Sequence, residues 1–324
     1  MILAGDVGAT KVQLEAGDFR DGAWQPVLSR RYAIVDYANP SEVIAAFLEE
    51  LRGVDRRAKP SHAAFGIAGP VVGNKGKMTH RPWAFDGDAL AERFGMKRMR
   101  IVNDLAAAAR GIEALGPRDT LVVQAGRAAS DAPRVVLGVG TGLGIAYLVP
   151  GASGGFNVVP GEGGHIGFSP SSPEQAQLWQ ALFRKRGRVE AEDIVSGRGM
   201  TQVYEVLRGQ GEVHGDAPAP AEPAWIVDGA VGRGDATCRH TLDLFIECMG
   251  TVAGDHALAC MARGGVYIAG GVAAKIAPLI RSARFVQAFC AKGVFGNFMA
   301  KVPVRVVTSE RLPVVGAAMW ARSG

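Results

Sequence analysis

The chain is 324 residues long, 48% hydrophobic and 21% charged, which excludes disorder and fibrous repeats and exceeds the size at which one core stops growing, so two globular domains are expected. Its formal net charge is +5, and the basic residues are scattered apart from Arg184, Lys185, Arg186 and Arg188, which read as a solvated face. Without a basic stripe interleaved with aromatics, nucleic acid is not an expected partner.

Cys238, Cys248, Cys260 and Cys290 have neither C-x-x-C nor zinc-ribbon spacing and read as reduced, mostly buried thiols. Met1 to Asp6 shows no basic segment followed by an apolar one, and no apolar run reaches membrane-spanning length, so the expected location is cytoplasmic.

In chain order, Ile2 to Val7 and Lys11 to Ala16 flank Gly8-Ala9-Thr10 as a predicted hairpin, and Gln25 to Ile34 adds a strand. Pro40 to Arg52 predicts a helix, with Val43, Ile44, Phe47, Leu48 and Leu51 at helical spacing behind Ser41 as cap. Strands follow at Ala63 to Ile67 and Arg100 to Val102, and an Ala-rich helix starts directly after Asn103-Asp104. Val135 to Pro150 predicts a second glycine-studded hairpin that resembles the first in plan, a hint of internal duplication. Gly209 to Pro223 reads as a surface loop, and a long helix runs from about Asp235 through Leu242, Phe245, Ile246, Met249 and Val252. Gly265 to Gly271 predicts a buried strand ending in a glycine pair, then a helix near Ala273, a strand over Val302 to Thr308 and a closing helix over Val314 to Ala321. This alternation indicates α/β domains.

Four constellations carry chemistry. Asp6-Val7-Gly8-Ala9-Thr10 sets a carboxylate, small residues and a hydroxyl on a tight turn that suits phosphate and Mg²⁺, though D-x-G is also ordinary hairpin chemistry. Gly140-Thr141-Gly142-Leu143-Gly144 repeats that logic or is a flexible turn, and no Walker-type P-loop occurs. Asn103-Asp104 reads either as a helix cap or as a carboxylate delivered by a strand end to act as general base. Glu162-Gly163-Gly164-His165 is too glycine-rich for a helical metal motif and suits hydrogen bonding to sugar hydroxyls, or is a surface loop. Glu192 lies near a possible helix start.

The order of these motifs, with Val195-Ser196-Gly197 and Ile268-Ala269-Gly270-Gly271, resembles the bacterial glucokinase family of the actin-like ATPase superfamily, from residue 3 to about residue 320. The resemblance implies a two-domain α/β fold of the ribonuclease H-like kind with a cleft between domains: residues 1–113 plus 301–324, including the C-terminal strand and helix, as the small domain and 114–300 as the large one. It implies ATP-dependent phosphorylation of glucose, a glycolytic step, by a homodimer. Asp6 would lie near Mg²⁺, and Gly8, Ala9, Thr10, Gly140, Thr141 and Gly142 near the ATP phosphates, with Gly270 and Gly271 on the adenosine side. Asn103, Asp104, Glu162, His165 and Glu192 would bind the sugar, with Asp104 as catalytic base.

The chain departs from the family pattern at Ala9, where a second glycine is common, and at Met78-Thr79-His80-Arg81-Pro82-Trp83, which lacks the asparagine usual after the threonine. The second departure leaves open another acceptor on the same fold: another hexose, an amino sugar or a carboxylate such as acetate. The cysteine-rich zinc motif of the ROK family is absent. A sugar-sensing regulator is a third reading, disfavoured because the first phosphate-type hairpin begins at residue 2.

Overall fold

The computed structural model describes residues 1–79, 81–152, 154–209 and 221–322. His80, part of the segment that departs from the family pattern, and residues 210–220 of the expected surface loop lie outside them. The chain divides into two compact units, Met1–Pro117 with Ser309–Gly324, and Arg118–Thr308.

The first unit is built on a five-stranded sheet. Its strands are β1 (Ile2–Val7), β2 (Lys11–Arg20), β3 (Ala23–Ala33), β4 (His62–Ile67) and, after a small sheet of β5 (Val71–Val72), β6 (Lys75–Lys77) and β7 (Ala84–Asp86), β8 (Arg98–Asn103). The order is β3-β2-β1-β4-β8, with β1 antiparallel to β2 and parallel to β4, and β4 parallel to β8. Helices α1 (Pro40–Val54), α2 (Gly87–Phe94) and α3 (Asp104–Gly111) follow β3, β7 and β8. In α1 the cap is Asn39, whose side chain accepts the Glu42 N–H at 3.2 Å, and not Ser41. Pro40 takes the first helical position, where its fixed φ and missing N–H cost nothing, and this moves the cap one residue upstream. Val43, Ile44, Phe47 and Leu51 of α1 are buried with Leu3, Leu14 and Phe65 of the sheet.

The second unit repeats the plan with one added strand. Strands β9 (Thr120–Gln124), β10 (Arg134–Val139), β11 (Leu143–Pro150), β12 (Phe156–Gly161), β13 (Gly265–Ala269) and β14 (Val304–Val307) form a sheet of order β12-β11-β10-β13-β14-β9. An antiparallel meander of three strands is again followed by two parallel ones, so the duplication hinted at by the two glycine hairpins extends to whole sheets. Val304–Val307, expected in the first domain, pairs instead with β13 and β9 in this sheet, because Val304 and Val306 are fully buried in the second core.

Around this sheet lie α4 (Pro173–Arg186), α5 (Gly197–Arg208), α6 (Pro223–Asp228), α7 (Ala236–Ala259), α8 (Gly271–Lys275), α9 (Ala277–Ile280), α10 (Ala283–Cys290) and α11 (Gly296–Met299). The long α7 starts at Asp235, whose side chain caps Cys238 N–H at 2.8 Å, and buries Leu242, Phe245, Ile246, Met249 and Val252. The closing helix α12 (Leu312–Arg322) belongs to the first unit, where Val314, Ala317, Ala318 and Ala321 pack with Ala4 and Ala64. All four cysteines are free thiols, and burial pushes each of them up, Cys238 to about 12 and Cys260 to about 11. No helix among the described residues is long and apolar enough to cross a membrane.

Candidate active site

In the first unit the parallel strands β1, β4 and β8 finish at one edge of the sheet, where ligands of open α/β sheets are received. That edge carries Asp6 near the end of β1 and Asn103-Asp104 at the junction of β8 and α3. Asn103 is the helix cap: its Oδ1 accepts the N–H groups of Leu105 (3.0 Å) and Ala106 (3.2 Å), and its amide donates to the Gly69 carbonyl at 3.4 Å. Asp104 is the first residue of α3, half-buried, with Oδ1 accepting the Leu105 N–H at 2.8 Å. At this junction the helix cap is Asn103, and Asp104 follows the strand end as the first residue of α3.

Burial and then the neighbouring Asp104 carboxylate push Asp6 up to about 7, against the opposing charge of Arg31. Two acids this close are a place that a cation would stabilise. Gly8 N–H bonds the Lys11 carbonyl at 2.9 Å to close the β1–β2 turn, leaving Ala9 and Thr10 exposed at its tip.

In the second unit β10 and β13 run parallel, so the Gly140–Gly142 turn after β10 and Gly270-Gly271 after β13 share a sheet edge. The turn closes through Gly140 N–H to the Gly142 carbonyl at 2.9 Å, with Thr141 exposed. Gly270 has φ +102°, and a Cβ there would fall on the Val139 backbone, so only glycine lets this turn lie against the end of β10. Gly197 N–H reaches the Gly140 carbonyl at 2.8 Å, which adds the start of α5 to the group. Glu192 joins it too: Oε2 accepts the Leu143 N–H at 2.8 Å and Oε1 accepts Arg198 at 2.6 Å.

Glu162, Gly163, Gly164 and His165 form a short turn after β12, with both glycines buried and the two polar side chains 88% and 53% exposed. Under the turn, buried His256 shares a 2.7 Å hydrogen bond with Tyr147. His165 Nδ1 lies 2.7 Å from Glu190 Oε2, and the Ala191 N–H bonds the Ile166 carbonyl at 2.9 Å, which ties the turn to the segment that carries Glu192. The hydrogen bond to Glu190 is the main cause that raises the His165 pKa, against partial desolvation, with Glu192, Glu190 and Glu162 adding in the same direction.

Sequence reasoning missed Glu190, Arg198 and the His256–Tyr147 pair. Only Glu190 had a local signal: with Asp193 three residues on, it forms a reciprocal capping box. The basic run at the end of α4 is more than a solvated face. Arg186 pairs with Asp193 at 2.7 Å, and Arg188 pairs with Glu190 at 3.1 Å and donates to the His165 carbonyl at 2.9 Å.

Two sheets of one plan, each with a tight turn at the ends of its parallel strands, and an aspartate at a strand-to-helix junction define a sugar kinase of the actin-like ATPase fold. The glucokinase family model matches residues 3–324. A glucokinase of Ralstonia nicotianae is 36% identical over 322 residues, 97% of this chain and 93% of the relative. One from Cupriavidus metallidurans is 35% identical over 315 residues, 97% of this chain and 90% of the relative. A solved glucokinase from an Antarctic psychrotroph superposes with a TM-score of 0.89 at 27% identity, covering 100% of this chain and 99% of that one. The chain belongs to the glucokinase family.

Proposed function

We propose that this enzyme transfers the γ-phosphoryl group of ATP to the 6-hydroxyl of glucose with Asp104 as general base. The proton of the hydroxyl passes to the Asp104 carboxylate, the sugar oxygen forms a bond to Pγ, and the bond from Pγ to the bridging oxygen of ADP breaks. The observation that carries this reading is the placement of Asp104: it heads α3 at the sheet edge, beside Asp6, with Asn103 taking over the capping role. Asn103, Glu162, His165 and Glu192 are the proposed sugar contacts. The turn residues Gly8, Ala9, Thr10, Gly140, Thr141 and Gly142 are proposed to receive phosphates through backbone N–H groups, with Gly270 and Gly271 on the adenosine side.

Among the described residues no three His, Cys, Asp or Glu side chains are grouped to hold a metal by themselves. This suits Mg²⁺ carried by nucleotide phosphates and water, with Asp6 as the carboxylate that would hold it, since burial and Asp104 leave Asp6 in need of positive charge. Bound there, Mg²⁺ would neutralise charge on the transferring phosphoryl group. Family membership supports a homodimer acting in the cytoplasm.

Asp104→Asn keeps an oxygen for the Leu105 N–H and loses the base. We expect kcat to fall by about 10²–10⁴-fold while calorimetry still detects glucose binding; near-normal turnover would remove Asp104 from this role. In an acceptor panel with ATP and Mg²⁺, glucose is expected to give the highest kcat/KM among hexoses, amino sugars and acetate.

A further inference from the structure

Glu192 and Arg198 form a charged brace against the glycine turn of the second unit. The Glu192 side chain is 17% exposed and divides its oxygens between the Leu143 N–H at 2.8 Å and the Arg198 guanidinium at 2.6 Å. The same segment holds the other side of the turn through Gly197 N–H to the Gly140 carbonyl at 2.8 Å. Buried Ser196 stiffens that segment, donating to the Glu192 carbonyl at 2.8 Å and accepting the Gly199 N–H at 2.9 Å. A Cβ on Gly142 would stand 2.5 Å from Glu192 Oε2, so the carboxylate lies directly against the turn.

This brace creates an electrostatic conflict. It orders the turn, but it sets a negative charge beside backbone that must receive polyphosphate, and like charges at such range repel strongly wherever water is partly displaced. Arg198 is the group that cancels this charge. We propose that Arg198 is a positioning residue for the nucleotide: by neutralising Glu192, it lets the carboxylate brace the Gly140–Gly144 turn without repelling the phosphates of ATP. The proposal rests on the reading of that turn as a phosphate-binding element.

Steady-state kinetics with the full-length enzyme test it. Arg198→Ala is expected to raise KM for MgATP about fivefold and to leave KM for glucose much less affected. Arg198→Lys should keep most of the nucleotide affinity. The deciding variant is Glu192→Gln combined with Arg198→Ala, assayed at glucose concentrations that saturate this variant because Glu192 is also a proposed sugar contact: glutamine still accepts the Leu143 N–H but carries no charge, so KM for MgATP should return toward that of the unmodified enzyme. Raising ionic strength should shrink the gap between Arg198→Ala and the unmodified enzyme, since Arg198 is 69% exposed and its charge is screened by salt. A merely structural arginine would show neither the rescue nor the salt effect. An Arg198→Ala enzyme with unchanged KM for MgATP, or a double variant no better than the single one, would overturn the proposal. Gly140→Val tests the underlying reading separately: unchanged KM for MgATP in that variant would remove the turn from nucleotide binding altogether. Glucose KM in Glu192→Gln reports independently on Glu192 as a sugar ligand.

Discussion

His165 is tuned by a partner 25 positions away in the chain. Its hydrogen bond to Glu190 raises the His165 pKa, and the same bond lowers that of Glu190. The two shifts act in opposite pH directions. The histidine contribution to stability is complete below the ordinary imidazole value and is lost as pH rises through the raised one. The Glu190 contribution is present above the ordinary carboxylate value and is lost as pH falls through the lowered one. The pair is therefore intact in the window between them. Glu190→Gln should bring the His165 titration, followed by NMR of the ring protons, down toward its ordinary 6.5, and should move the alkaline limb of the kcat/KM profile for glucose to lower pH. An unchanged titration would show that Glu190 does not set the protonation of His165.

At the scale of elements, the position of Asp104 depends on how closely α3 and α12 approach. Trp320 Nε1 donates to the Ala106 carbonyl at 3.2 Å. A Cβ on Gly316 would fall on the Ala107 carbonyl of α3, and one on Gly111 would stand 2.5 Å from the Leu312 carbonyl. Backbone lies on both sides of this contact, so neither side can yield as a side-chain end would. Gly316→Ala is expected to cost about 1–3 kcal/mol in urea unfolding and to lower kcat, because the head of α3 must move with the helix. Stability and kcat both unchanged would mean that the helices separate freely. The α3 start itself was legible, since Asn-Asp ahead of an Ala-rich run is a local signal. Its packing partner lies at the other end of the chain, and no local pattern names it.

For the whole molecule, the first unit is discontinuous, completed only when the chain returns at Ser309. The return is held by Arg311, which donates through Nε and Nη2 to the 1%-exposed Glu15 at 3.1 and 2.8 Å, where Trp24 (2.7 Å) and Ser29 (3.1 Å) also donate. Burial alone would raise the Glu15 pKa, but the bonds from Arg311 and Trp24, the Arg311 charge and Ser29 outweigh it and bring it below its ordinary 4.5. A lowered carboxylate stabilises the fold above its unfolded value and loses that contribution as pH falls through the folded one. The stability difference between the unmodified protein and Glu15→Gln should therefore be full above about pH 5 and vanish on acidification. Arg311→Ala leaves the buried carboxylate without its cation and, as the arginine is itself 45% exposed, should cost about 1–3 kcal/mol. Differential scanning calorimetry should resolve two transitions, one per core, with only that of the first unit lowered by Arg311→Ala.

What the amino-acid sequence determined by itself is whatever a few neighbouring residues decide: the two glycine hairpins, the starts of helices, the buried strand ending at Gly270, and the order of motifs that marks the glucokinase family. Backbone choices of this kind are settled by φ preferences, missing N–H groups and side chains within a turn of one another. The tertiary structure alone decided that β14 joins the second sheet, that the two sheets repeat one plan, that Glu190 holds His165, and that Glu192 turns its carboxylate onto the Gly140–Gly142 turn with Arg198 as its counter-charge. Those partners are many residues apart, and a hydrogen bond between them exists only once packing has brought their elements together.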